Sequence, residues 1–167
     1  MYRKFFSIIA VSVSLWACSK SSSKASYTCP YTAPTAVASA SEIATLKAFL
    51  DSSKLDYHQL PSGLFYKIVT QGAGDTATVC SAVLVKYKGQ LLNGTGFDSS
   101  YVRSPNGTAF NLGGVITGWQ YGIPLIQKGG SIILYVPPSL GYGTSANGII
   151  PANSNLIFNV DLLDLQK

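Results

Sequence analysis

From Gly63 onward, apolar residues recur at every second position between glycine-rich turns, and this pattern limits the possible folds more than any other feature. In "VLVKY", Val83, Val85 and Tyr87 share one face of an extended strand. The stretches "LFYKIV" and "IFNVDL" alternate in the same way, and "SIILYV" is almost continuously apolar, which is typical of a central strand. The repeat of two therefore predicts a mainly antiparallel sheet of about five strands.

Two short segments have helical spacing instead. In "SEIATLKAFLDSS" the apolar residues fall on one helical face, with Ser41 as the expected N-cap. In "TGWQYGIPLI" Pro124 has no backbone N–H to donate, so a helix there must be short or end at the proline. The predicted fold class is α+β: a curled antiparallel sheet that wraps a short central helix, preceded by an N-terminal helix that packs on its own domain.

The N-terminus has the features of a secretory signal. Arg3 and Lys4 precede an apolar stretch from Phe5 to Leu15, which is too short to cross a bilayer as a helix. The following "LWACSK" resembles a bacterial lipoprotein box with Cys18 as the lipid acceptor; the alternative is a plain cleaved signal peptide. We therefore expect an exported chain, anchored by lipid alone on the periplasmic side of the envelope or at the outer membrane.

The chain divides into four predicted parts. Residues 1–17 are a lipoprotein signal peptide, and residues 18–40, rich in Ser, Ala, Thr and Pro, are a flexible tether. Residues 41–61 are the N-terminal helix and a turn, and residues 62–167 are the folded domain. In an exported protein Cys29 and Cys80 could pair as a disulfide, or they could be two unrelated thiols.

Several function classes are excluded by composition. Charged residues form only 11% of the chain. Two charges of its net +5 belong to Arg3 and Lys4 in the N-terminal signal, and the remaining lysines are scattered, which argues against nucleic-acid binding. The single histidine, His58, is expected in an exposed turn before the first strand and cannot support a catalytic triad. The sequence also has no cluster with metal-ligand spacing. An enzymatic reaction here should need neither a base, nor a metal, nor a cofactor.

Asp98 is the one acidic residue between Asp75 and Asp161, and it follows the apolar Phe97 in "NGTGFDSS". It is either an ordinary turn residue or a polar group placed in an apolar pocket. Aromatic residues are frequent in the same domain, and an aromatic-lined cleft with few polar groups is the usual form of a small-ligand site. The residues alone leave both readings open.

Four motifs occur in an order that resembles the FKBP-type peptidyl-prolyl cis-trans isomerases. They are "VKYKGQLLNGTGFDSS", "FNLGGVITGWQYGI", "VPPSLGYG" and "GIIPANSNLIFNVDLLDL". The resemblance covers residues 62–167. It implies an enzyme that accelerates rotation of X–Pro bonds in exported polypeptides and that macrolides could inhibit. A chaperone-like peptide-binding module with the same fold and little isomerase activity is the alternative.

The resemblance also implies a site. Trp119 would be the floor under the proline ring, Tyr142 and the N–H of Ile116 would donate to substrate carbonyls, and Asp98 would be the polar group beside the twisting amide. Tyr87 and Arg103 would hold the Asp98 side chain. The catalytic residues implied are Asp98, Tyr142, Trp119 and Phe97, and the substrate-binding residues are Tyr87, Val115, Ile116, Ile150, Phe158 and Arg103.

Overall fold

The computed structural model describes residues 28–166. The predicted signal peptide (1–17), the predicted lipidation site Cys18 and the first part of the predicted tether lie outside the described residues.

Within residues 28–166 the chain forms two α-helices and a seven-stranded antiparallel sheet. The helices are α1 (Ala40–Ser52) and α2 (Thr117–Gly122), and the strands are β1 (His58–Gln59), β2 (Phe65–Thr70), β3 (Ala82–Leu91), β4 (Gly96–Ser99), β5 (Thr108–Asn111), β6 (Ser131–Val136) and β7 (Leu156–Gln166). The strand order is β1-β2-β6-β7-β3-β4, and β5 pairs with the first half of β3. The α+β class, the antiparallel sheet and the N-terminal helix are confirmed.

The sheet has seven strands rather than about five, because β1, β4 and β5 are too short to show a repeat of two in the sequence. The sequence predicts His58 in an exposed turn. His58 is exposed, but it lies in β1 and pairs with Tyr66.

The core lies between α2 and one face of the sheet. Val83, Val85 and Tyr87 of β3 are buried on this face, as their alternation predicts. Gly118 and Gly122, one helical turn apart, face β6: a Cβ there would lie 2.6 Å from Val136 Cγ1 and 2.4 Å from Leu134 Cδ2, respectively. The missing side chains let α2 approach the sheet closely, and the α-helix ends before Pro124, as expected.

Helix α1 covers the opposite face of the sheet. Leu46 and Leu50 are fully buried there, and they belong to one apolar cluster with residues of β2, β6 and β7: Phe65, Tyr135 and Ile157. The predicted N-cap, Ser41, is wrong by two residues. The cap is Ser39, because Glu42 stands three residues after it and completes a reciprocal capping box.

The segment before α1 is packed on the domain, unlike the flexible tether predicted up to residue 40. Cys29 and Cys80 form a disulfide with their Cα atoms 5.5 Å apart. The Ala38 N–H donates to the Ser62 carbonyl at 2.9 Å, and the Ala38 side chain is buried. Composition alone missed this packing because the residues that make these contacts are small.

Candidate active site

A cavity of about 330 Å³ opens beside α2, on the face of the sheet that holds the core. A volume of this size lies within the usual range for small-ligand sites, roughly 300–1,000 Å³. Its walls come from β3, β4, β5 and β7, from the loop that precedes α2, from α2 itself and from the segment between β6 and β7. The lining residues are Tyr87, Phe97, Asp98, Phe110, Gly114, Val115, Ile116, Trp119, Tyr142 and Phe158.

Trp119 of α2 is the centre of the aromatic wall. The residue is only 4% exposed, and three rings meet its indole edge to face: Tyr87 at 5.2 Å, Phe158 at 5.4 Å and Phe110 at 5.7 Å between centroids. Edge-to-face pairs of this kind add about 0.5–1.5 kcal/mol each beyond the area they bury. The cavity therefore has a rigid aromatic base that a flat apolar ring can contact.

A β-bulge brings Phe97 and Asp98 into the same cavity. Gly89 of β3 pairs with Asp98, but the next residue, Gln90, pairs with Gly96, so Phe97 is an extra residue in β4. Consecutive side chains of a regular strand point to opposite faces, and a bulge re-aims one of them. The bulge thus lets an aromatic ring and a carboxylate, adjacent in sequence, both line the site.

Asp98 is held by two donors. Arg103 Nη1 donates to Asp98 Oδ1 at 2.8 Å, Arg103 Nη2 donates to the Tyr87 hydroxyl oxygen at 3.1 Å, and the Tyr87 hydroxyl donates to Asp98 Oδ2. Partial burial acts to raise the pKa of Asp98, but the hydrogen bonds from Tyr87 and Arg103 outweigh it, so the pKa lies below its ordinary value. Asp98 is therefore a carboxylate at neutral pH, fixed in one orientation.

Tyr142 and Ile116 stand at the rim of the cavity. Tyr142 follows the 3₁₀ turn Pro138–Leu140 and is 37% exposed. Burial, assisted by the charge of Asp98, raises the pKa of Tyr142, which keeps its hydroxyl protonated as a donor at neutral pH. Ile116 is the N-cap residue of α2, at the helix end where backbone N–H groups have no intrahelical acceptor.

Most residues implied by the family resemblance meet in this cavity, and two do not line it. Ile150 is buried beside it and lines an adjoining groove that shares Phe97, Asp98 and Tyr142 with the cavity. Arg103 reaches Asp98 from outside, with its side chain 59% exposed.

Phe110 and Gly114 line the cavity but were not among the implied site residues. Phe110 is one of the aromatic residues of the domain and could have been found on that ground, whereas a glycine has no side chain to indicate a role.

Among residues 28–166, no group of three or more His, Cys, Asp or Glu side chains is arranged to hold a metal ion. In the same part of the chain, neither helix has the length and apolar character needed to cross a bilayer.

The fold and the cavity together define an α+β domain with an aromatic-lined cavity. Residues 74–163 match the family of FKBP-type peptidyl-prolyl cis-trans isomerases. The chain belongs to that family.

Relatives with this domain include the isomerase FkpA from Escherichia coli strain K12, which is 45% identical over 105 residues, or 63% of this chain and 38% of FkpA. The isomerase Mip from Coxiella burnetii is 42% identical over 124 residues, or 72% of this chain and 54% of Mip. The crystal structure of Escherichia coli FkpA superimposes with a TM-score of 0.69 at 39% identity, covering 76% of this chain and 60% of that one. The chain thus spans about 40% of the length of the FkpA relatives.

Proposed function

We propose that the protein is a peptidyl-prolyl cis-trans isomerase that accelerates X–Pro bond rotation in exported polypeptides. The observation that carries this proposal is the cavity itself, where the buried Trp119 lies under an aromatic wall and the ionised Asp98 lies at its edge. Membership of the isomerase family supports the same reaction.

The chemistry of such a site is non-covalent. The barrier to X–Pro rotation is about 18–20 kcal/mol, set largely by amide resonance, and rotation takes tens of seconds unaided. Water stabilises the planar, charge-separated amide relative to the twisted transition state. An apolar cavity that excludes water and fits the twisted form lowers the barrier without a nucleophile or a proton transfer.

Each side chain has a role consistent with its position. The proline ring would lie on Trp119 against the neighbouring rings, and the Tyr142 hydroxyl and the Ile116 N–H would each donate to a substrate carbonyl. Asp98, held by Tyr87 and Arg103, would present fixed negative charge beside the twisting amide. A carboxylate with a lowered pKa suits orientation and polarisation better than acid–base work.

We also propose that the protein is exported and anchored to the cell envelope by a lipid on Cys18, on the periplasmic side or at the outer membrane. The support is the basic and apolar N-terminal stretch followed by "LWACSK". Metabolic labelling with a radioactive fatty acid should label the wild-type chain and leave Cys18→Ala unlabelled. Equal labelling of both chains, or of neither, would contradict the anchor.

A protease-coupled assay with a tetrapeptide that has Leu before the proline tests the proposed activity. We expect acceleration above the thermal rate and inhibition by an FKBP-directed macrolide. Trp119→Ala should weaken macrolide binding by about 3 kcal/mol, the usual cost of removing a large buried contact. Unchanged macrolide affinity in Trp119→Ala would show that the ligand binds elsewhere.

A further inference from the structure

Tyr31 lies directly on the loop that leads into the cavity. A Cβ added to Gly113 would be 2.2 Å from Tyr31 Cγ and 2.6 Å from its Cβ and Cδ1, so the tyrosine ring occupies the space that a side chain at Gly113 would need. The Tyr31 hydroxyl lies close to the next residue, Gly114: a Cβ added there would be 3.4 Å from the hydroxyl oxygen. Gly114 is itself part of the cavity wall.

The segment that carries Tyr31, residues 29–36, is fixed at both ends; we call it the N-terminal strap. Its first residue is joined to Cys80 by the disulfide. Near its other end, the Tyr121 hydroxyl donates to the carbonyls of Pro34 and Ala36 at 2.9 and 3.0 Å. The strap is therefore attached to the turn at Cys80 and to helix α2, with Tyr31 between the two attachments.

The loop below Tyr31 is bound to the same two elements. The Gly113 N–H donates to the carbonyl of Val79, the neighbour of Cys80, at 2.8 Å. The Gln120 amide of α2 donates to the carbonyls of Val115 at 2.8 Å and Gly113 at 3.3 Å. The loop is thus held between the Cys80 turn and α2, and the strap closes over its outer side.

This loop carries a large part of the substrate site. Residues 114–116 line the cavity in succession, and Ile116 offers the backbone N–H at the start of α2. Val115 and Ile116 pack against the core, but the glycines at 113 and 114 have no side chains, so that part of the loop is covered by the Tyr31 ring instead. The strap precedes residues 74–163, the stretch that matches the family.

We propose that Tyr31 is a positioning residue for the 113–116 loop and that the N-terminal strap thereby sets the affinity of the site for its X–Pro substrate. This inference rests on the proposed isomerase function. Tyr31 touches the loop and not the cavity, so it acts through the placement of Gly114, Val115 and the Ile116 N–H. These groups contact the substrate before and during rotation, so their displacement raises KM more than it lowers kcat.

Steady-state kinetics on the full chain with the Leu–Pro tetrapeptide test the proposal. Tyr31→Ala should raise KM about 3- to 10-fold with kcat within about twofold of wild type, because binding is weakened equally in the ground state and in the transition state. Tyr31→Phe keeps the ring on Gly113 and should restore the wild-type KM. Tyr57→Ala is the matched control, because Tyr57 also precedes the family-matching residues 74–163 but packs against Phe65, in the apolar cluster under α1.

A second readout does not depend on turnover. The sequence has two tryptophans, so Trp119 is the sole indole in the full chain with Trp16→Phe. In that background Tyr31→Ala should increase acrylamide quenching of Trp119 fluorescence, while Tyr31→Phe and Tyr57→Ala should leave it unchanged. If wild type shows no isomerase activity, the proposed function fails, and the quenching result still decides the role of Tyr31.

Two results would overturn the inference. In the first, Tyr31→Ala keeps both the wild-type KM and the wild-type quenching, so the loop does not need the ring. In the second, Tyr57→Ala changes KM and quenching as much as Tyr31→Ala does. Tyr31 would then contribute only to general stability.

Discussion

Gly89 is a position where a single added methyl group should damage the site directly. It lies on β3 between Phe158 of β7 and Asp98 of β4, and the Phe97 ring crosses directly over it. A Cβ at Gly89 would be 2.4 Å from Phe97 Cε2, 2.6 Å from Phe97 Cζ and 2.9 Å from Phe158 Cε1. Carbon atoms pack at about 3.5–4.0 Å, so Gly89→Ala must push the Phe97 ring by about 1 Å or more.

The energy of this change can be bounded. Overpacking a core costs about 1–3 kcal/mol, and replacing a strand glycine by alanine returns about 0.5–1 kcal/mol of backbone entropy. We therefore expect Gly89→Ala to lose about 1 kcal/mol of unfolding free energy. The catalytic activity should be affected more than the stability, because Phe97 can move only at the expense of the cavity. A displacement of about 1 Å at a reacting site can lower the rate by up to about 100-fold.

Urea unfolding and the protease-coupled assay measure the two effects separately. We expect kcat/KM of Gly89→Ala to fall at least about tenfold, equivalent to ~1.4 kcal/mol of transition-state stabilisation. Gly96→Ala on the paired strand is the control, because the nearest atom to a Cβ there is the Gly89 carbonyl oxygen at 4.0 Å. A Gly89→Ala protein with wild-type kcat/KM would refute the placement of Phe97 in the site.

Two further predictions concern charge. Arg103→Ala removes a donor from Asp98, so the pKa of Asp98 should rise and the acid limb of the kcat/KM profile should move to higher pH; an unmoved limb would mean that Arg103 does not control the carboxylate. Partial burial acts to raise the pKa of Glu42, but its hydrogen bonds to Ser39 and Ser139 lower the pKa overall. Ionised Glu42 therefore stabilises the folded protein above about pH 4, and this stabilisation is lost as the pH falls through the lowered pKa. Glu42→Gln should therefore cost about 1 kcal/mol in urea unfolding at pH 7 and progressively less as the pH falls through the lowered pKa of Glu42; a cost that does not change with pH would contradict this.

The parts of the fold that follow a regular repeat could be predicted from sequence. The alternation in β3 placed Val83, Val85 and Tyr87 inward, and Pro124 predicted the early end of α2. Both depend on local rules: side chains alternate along a strand, and proline cannot donate within a helix.

The parts of the fold and of the site that depend on strand register or on distant packing could not be predicted from the sequence. The bulge that puts Phe97 and Asp98 in one cavity comes from the pairing of β4 with β3, which no local pattern encodes. The N-cap of α1 is Ser39 and not Ser41, the serine nearest the apolar run, because only Ser39 forms the capping box with Glu42. The contact of Tyr31 with Gly113 joins residues 82 positions apart, and a glycine has no side chain that could indicate a partner, so no local pattern predicts it.

The most direct test of the central claim compares wild type and Asp98→Ala in the protease-coupled peptide assay. The account predicts that wild type accelerates cis-to-trans conversion well above the thermal rate. Asp98→Ala, with the aromatic walls intact, should retain a measurable rate reduced about tenfold, or ~1.4 kcal/mol. Equal rates for the two proteins at the thermal background would contradict the account and would favour a peptide-binding module without isomerase activity.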